Sequence, residues 1–176
     1  MAGIEIERKF LLVPIRVECF LKVNGFNYET LEIEQFYIER KGKLGRIRKV
    51  NGKYYLTLKK GEGLVREEYE SEIEQSVFEN ILAKEKPVGA LSKLRYRVPI
   101  DGYEYELDEF KGDLDGLVML EVEFESENEA RSFELNEKFK KLILAEVTGK
   151  TAFLNETIAI ESLKGNLFCE AIYGKI

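Results

Sequence analysis

The chain has 176 residues, 44% hydrophobic and 34% charged, which supports one soluble globular domain with a sizeable core. A net charge of −6 argues against bulk attraction to nucleic acid or an anionic membrane. No apolar run nears the roughly 18 residues of a spanning helix, and Glu5 and Glu7 replace the basic start of a secretory signal, so a cytoplasmic protein is expected.

Residues 4–13 alternate as a first strand, closed by Pro14. Glu5, Glu7 and Lys9 share one face of it, and Ile4, Ile6 and Phe10 the other. Residues 14–32 have no clean period and read as an excursion. Residues 33–41 alternate again, with Gln35, Tyr37 and Glu39 opposite Phe36 and Ile38, and Lys41-Gly42-Lys43 is a turn signal. Arg46 and Arg48 face away from Ile47, and Asn51-Gly52 is a strong hairpin signal. Beyond it Tyr55, Thr57 and Lys59 oppose Tyr54, Leu56 and Leu58. After Gly61-Glu62-Gly63 turns the chain, Arg66, Glu68, Glu70 and Glu72 share a face. Residues 75–85 change to a helical period through Val77, Phe78, Ile81 and Leu82, and Pro87 and Gly89 end it. Lys93, Arg95 and Arg97 then alternate against Leu94, Tyr96 and Val98. Asp101-Gly102 predicts another hairpin, after which Glu104, Glu106 and Asp108 lie opposite Tyr103, Tyr105 and Leu107. Glu121, Glu123 and Glu125 follow a loop at 112–116. Residues 127–143 tend to helix, with a break near Leu135-Asn136, and residues 151–163 read as a last helix before an irregular tail.

About eight alternating strands joined mostly by short turns predict an α+β domain dominated by antiparallel sheet. Several strands carry one sign of charge on the polar face: cations at 93, 95 and 97, anions at 104, 106 and 108 and at 121, 123 and 125. Like charges repel along and across strands. They become favourable if the sheet curls until cationic and anionic strands face one another or face ions between them. A closed barrel with a charged interior, and an apolar outer face covered by two to four helices, satisfies this. An open sheet with its charged face in water is the alternative.

Histidine is absent, which excludes Ser-His-Asp and Cys-His catalysis and His-ligated metals. Cys19 and Cys169 are too isolated for a disulfide framework or a Cys-based zinc site. A metal site would therefore be oxygen-rich, suited to Mg, Mn or Ca. Arg46, Arg48, Lys59, Lys93 and Arg95 could together bind a chain of phosphates. Glu5, Glu7, Asp108, Glu121 and Glu123 would then need divalent cations between themselves and such a substrate. Water activation would fall to a carboxylate–metal pair, or to Lys9 acting with Tyr37. Gly149-Lys150-Thr151 ends like a P-loop, but Leu144 stands where that motif requires Gly.

The run Glu5-x-Glu7-x-Lys9 resembles the signature of the CYTH, or triphosphate tunnel metalloenzyme, superfamily. Gln35-Phe36-Tyr37, Arg46-Ile47-Arg48, Leu56-Thr57-Leu58-Lys59 and Arg66-Glu67-Glu68-Tyr69-Glu70 agree with it in order. So do Lys93-Leu94-Arg95-Tyr96, Asp108, Glu121-Val122-Glu123-Phe124 and Glu146-Val147-Thr148-Gly149-Lys150. The likeness is to small single-domain bacterial members and runs from residue 4 to about 155, leaving the tail from 161 unassigned. It implies a closed eight-stranded antiparallel tunnel that acts on triphosphates with Mg2+ or Mn2+, as two ions. It places Glu5, Glu7, Asp108, Glu121 and Glu123 at metal positions. It places Lys9, Arg46, Arg48, Lys59, Lys93, Arg95 and Lys150 on the triphosphate, with Lys9 and Tyr37 assisting water attack. The activity it implies is hydrolysis of tripolyphosphate to pyrophosphate and phosphate. A class IV adenylyl cyclase, a thiamine or nucleoside triphosphatase and a non-catalytic polyphosphate-binding module are the alternatives. The partner implied is a small triphosphate, with neither nucleic acid nor membrane, and the protein a monomer or homodimer. Arg8, on the opposite strand face, is expected to point outward and to matter little for turnover.

Overall fold

The computed structural model describes residues 6–60 and 67–165, without the side chains of residues 59, 60, 67 and 68. In chain order these form β1 (Ile6–Leu12), α1 (Val17–Val23), β2 (Glu29–Arg40), β3 (Lys43–Val50), β4 (Lys53–Lys60) and β5 (Glu67–Ile73). Then come α2 (Gln75–Lys84), β6 (Gly89–Ile100), β7 (Tyr103–Phe110), β8 (Val118–Phe124), α3 (Glu127–Ser132), α4 (Glu137–Lys140), β9 (Ile143–Glu146) and α5 (Asn155–Leu163). The strands make one nine-stranded sheet in the order β5-β4-β3-β2-β6-β7-β8-β1-β9, and every ladder in it is antiparallel. The expected α+β class holds, with nine strands in place of eight. Among the described residues the ladders form a series with β5 at one end and β9 at the other.

The tight turns form where sequence signals place them. Asn51-Gly52 and Asp101-Gly102 have positive φ at both central residues, at 47° and 82° and at 51° and 87°, as a type I′ hairpin requires. Lys41-Gly42 does the same at 53° and 72° without the usual Asn or Asp. Two segments depart from expectation, residues 14–32 and the stretch that becomes β9. Residues 14–32 contain α1 and the start of β2. Arg16 caps α1 without a side-chain bond, so the helix has no start signal. Residues 127–143 divide into α3 and α4 at the break expected near Leu135-Asn136. Asn136 breaks the run and caps α4 by accepting the Lys138 N–H. The chain then extends into β9, to which the sequence pattern assigns no strand.

Cross-strand registers fix which side chains share a face. Lys9 lies opposite Glu121, Glu121 opposite Glu106, Glu106 opposite Arg97 and Asp108 opposite Arg95. All the segregated charges therefore stand on one face. The opposite face is apolar and covered by helices. Phe10, Tyr105, Val122, Phe133 and Phe139 belong to one buried cluster with residues of α1, α3 and α4. Phe78 of α2 packs on Phe36 and Tyr54. The hydrophobic core thus lies mainly outside the charged face, as the alternation predicts.

That face is not polar throughout. Leu11, Leu91, Phe110 and Met119 continue the Lys9, Lys93, Asp108 and Glu121 columns and cluster with Tyr37 and with Ile158 and Ala159 of α5. Leu31 and Ile33 stand opposite Arg95 and Lys93 in register. An apolar end therefore adjoins the charged middle, and α5 packs on it. Gly89 permits the contact, because a Cβ there would fall 2.9 Å from the Ile160 nitrogen.

Candidate active site

Lys9, Lys93, Asp108 and Glu121 are only 5%, 3%, 1% and 6% exposed. Ionised groups so deeply buried must be paired, and here they pair with one another. Arg95 is the hub. Its Nε donates to Asp108 Oδ1 at 2.7 Å and its Nη2 to Asp108 Oδ2 at 2.7 Å. Nη2 also reaches Glu121 Oε2 at 2.9 Å, and Nη1 donates to Glu106. Lys93 donates to the same Asp108 carboxylate. Lys9 Nζ lies 2.6 Å from Glu121 Oε1 and 3.6 Å from Glu7. Arg97 Nε donates to Glu106 at 3.0 Å.

This network sets the ionisation of its members. Burial alone would raise the Asp108 and Glu121 carboxyls. Arg95 and Lys93 outweigh it at Asp108, and Lys9 and Arg95 at Glu121, so both are held below the usual carboxylate range. Burial opposes the Lys9 charge, but Glu121 and Glu7 hold its ammonium above the ordinary lysine value. Lys93 goes the other way. Burial and the adjacent Arg95 lower it, and Asp108 does not compensate.

A second cationic group stands on β3 and β4. Arg46 Nη2 donates to Thr57 Oγ1 at 3.2 Å and to Glu70 at 3.4 Å. Arg48 Nη2 donates to Glu70 at 2.8 Å, as does the Thr57 hydroxyl. Burial would raise Glu70, and Arg48 lowers it. The Arg48 Nε–H is buried without a hydrogen-bond partner, a donor that an anionic oxygen would satisfy. Tyr37, opposite Arg46 in register, is 2% exposed and accepts a 2.7 Å bond from Gln35 Nε2. Tyr37 also clusters with Leu11, the next inner-face residue after Lys9.

The remaining predicted residues are less enclosed. Glu123 is exposed, and Glu7 is its direct cross-strand partner. Lys150 is exposed, and among the described residues no ion pair joins it to a site carboxylate. Its backbone N–H closes a turn onto the Val147 carbonyl. Lys59 lies opposite Glu68 in register, and its side chain, like Glu5 and Arg66, falls outside the described residues. Arg8 does face away from the charged side, yet its guanidinium grips Glu146 and the Ala130 and Phe133 carbonyls. Sequence reasoning gave no role to Glu106, Glu70 or Thr57, although each shares an inner face with a residue it singled out.

Among the described residues no three carboxylates are already gathered as a metal cage. The donor set nevertheless suits a hard divalent ion. All its donors are oxygens, and Glu7 and Glu123 face each other directly, a like-charge pairing that a bridging cation relieves. Magnesium takes only one or two carboxylates and completes its shell with water and substrate oxygens. Glu7 and Glu123, with Glu121 adjoining, fit a site that the substrate completes.

Comparison with known proteins identifies the family. Residues 3–153 match the CYTH domain. An inorganic triphosphatase of Acetivibrio thermocellus is 37% identical over 166 residues, covering 89% of this chain and 93% of that protein. An inorganic triphosphatase of Nitrosomonas europaea is 37% identical over 141 residues, covering 73% of this chain and 82% of its own. A crystal structure of an inorganic triphosphatase superposes with a TM-score of 0.64 at 28% identity, over 91% of this chain and 96% of that one. On its match over nearly the whole length and on its strand-by-strand charge pattern, the chain belongs to the CYTH family.

Proposed function

We propose that the protein hydrolyses inorganic tripolyphosphate to pyrophosphate and phosphate with divalent metal. The observation that carries this reading is the buried array of Lys9, Lys93 and Arg95 interleaved with Asp108 and Glu121 on one sheet face. The names of the two curated relatives support it. Metal dependence is the expected property of the family.

Arg46, Arg48, Lys93 and Arg95, with Lys59 and Lys150, hold the phosphate oxygens. Glu7, Asp108, Glu121 and Glu123, with Glu5, would hold the metal, as two ions of Mg2+ or Mn2+. Bound metal neutralises charge on the phosphates and lowers the pKa of water. Lys9 orients water toward the terminal phosphorus, with Tyr37 behind it. The water oxygen bonds to phosphorus as the bridging P–O bond breaks, pyrophosphate leaves with the bond's electron pair, and the proton shed by the water passes to solvent.

The test is phosphate release from tripolyphosphate, ATP and thiamine triphosphate, each with Mg, Mn or Ca. Fastest release from tripolyphosphate is expected, and Lys9→Met should lower it on the order of a hundredfold. No release from tripolyphosphate beside brisk ATP hydrolysis, or cyclic AMP formed from ATP with Mn, would overturn the reading.

A further inference from the structure

β1 is held on its β9 side by an arrangement that changes at Lys9. Phe10 pairs with Glu146 and Leu11 with Ala145 in the ladder. One step further, an ordinary ladder would have Lys9 and Val147 exchange both backbone bonds. Only one is made. The Val147 N–H donates to the Lys9 carbonyl at 2.8 Å. The Val147 carbonyl has turned away to accept the Lys150 N–H at 3.0 Å. The Lys9 N–H instead donates to the Thr148 hydroxyl at 3.0 Å. That hydroxyl donates to Glu146 Oε1 at 2.9 Å. Arg8 holds the Glu146 carboxylate with two bonds, Nε to Oε1 at 2.9 Å and Nη2 to Oε2 at 2.8 Å. Arg8 Nη1 is itself fixed by the Phe133 carbonyl at 3.0 Å. Neighbouring residues thus do opposite work: Lys9 points to the charged face, and Arg8 anchors the strand from behind.

The consequence for Lys9 is geometric. Both its backbone groups point to the 147–148 segment, so Lys9 and Glu121 meet as a non-hydrogen-bonded pair. Such pairs bring cross-strand side chains closest, and the two charged ends meet at 2.6 Å. We infer that Thr148 is a positioning residue for Lys9: its hydroxyl replaces the departed Val147 carbonyl and, backed by Glu146 and Arg8, sets where the Lys9 ammonium stands toward substrate. This inference rests on the tripolyphosphatase reading.

Thr148→Val keeps the branched shape and removes the hydroxyl, and Thr148→Ser keeps the hydroxyl. The expected result is a loss of kcat on the order of tenfold or more in Thr148→Val, with KM moved less than about twofold. Thr148→Ser should stay near wild type. Amide exchange read at Lys9 should quicken on the order of tenfold in Thr148→Val and not in Thr148→Ser. Unchanged kcat in Thr148→Val, or unchanged exchange at Lys9, overturns the inference, as does an equal kcat loss in both variants. A wild type that releases nothing from tripolyphosphate sinks the functional reading and the catalytic part of this inference with it. Wild-type turnover with an indifferent Thr148→Val sinks this inference alone.

Discussion

Asp108 carries two cations on one carboxylate, the fork of Arg95 and the ammonium of Lys93. Those partners hold it well below the usual carboxylate range against the pull of burial. Glu121 is lowered by Lys9 and Arg95 in the same way. A carboxylate lowered by folding binds fewer protons folded than unfolded, so stability rises with pH across its titration. The contribution is complete above the unfolded value of about 4 and is lost as pH falls toward the folded one. Urea midpoints of metal-free protein should therefore hold from pH 7 to about 5 and drop steadily below. Asp108→Asn should lower the midpoint at pH 7, by about 3 kcal/mol in stability, because it strips charge from a buried pair. Its decline below pH 5 should also be shallower than wild type. An equally steep decline would assign the acid loss to other carboxylates. At this scale the sequence revealed Asp108, Glu121, Lys93 and Arg95, because period-two alternation puts them on one face. It did not reveal Glu106 or Arg8. Nothing local distinguishes a carboxylate that seats an arginine from one that meets solvent, and Arg8 acquires its partner 138 residues away.

Among the elements, strands and hairpins were the most legible. Their signals are local: alternation, Asn-Gly and Asp-Gly. Only the second half of β2 is legible in the sequence. Its inner positions begin as Leu31 and Ile33 and become Gln35 and Tyr37, while outer Glu32 and Glu34 give way to Phe36 and Ile38. The sign of the alternation reverses mid-strand because α2 covers the outer face only at the later end. β9, four residues long, has no pattern apart from its partner β1. The seat of α5 was equally hidden, because it depends on what a glycine lacks. A Cβ at Gly89 would stand 2.9 Å from the Ile160 nitrogen and 3.0 Å from the Ala159 carbonyl carbon. These are backbone atoms of a packed helix and cannot rotate aside. Gly89→Ala should cost about 1–3 kcal/mol, a fall of roughly 2–12 °C in Tm for a chain of this size. An unchanged Tm would mean that α5 does not sit against β6 as described.

Across the whole molecule the charged face balances itself. The net charge of −6 is spread over the chain, yet within the site each buried ion has an opposite partner. Arg95 serves Asp108, Glu106 and Glu121, Lys93 serves Asp108, and Lys9 serves Glu121. Under the proposed site assignment, carboxylates stand where phosphate oxygens would bind, and cations where metal would bind. A triphosphate alone could draw Lys9, Lys93 and Arg95 away only by leaving Glu121 and Asp108 buried and uncompensated, which is costly. A divalent ion alone could recruit those carboxylates only by stranding the cations. Together the two ligands exchange every partner without leaving a buried charge unpaired. Their binding should therefore be positively coupled, each raising the affinity for the other by the same factor. In thermal denaturation, the rise in Tm with Mg and a non-hydrolysable imido analogue of tripolyphosphate together should exceed the sum of the rises with each alone, since ligands stabilise according to their occupancy of the folded state. Glu121→Gln should weaken that excess, because it removes one of the charges whose stranding couples the ligands. Additive shifts in the wild type would mean that substrate and metal bind without disturbing the Lys9–Glu121 and Arg95–Asp108 pairs.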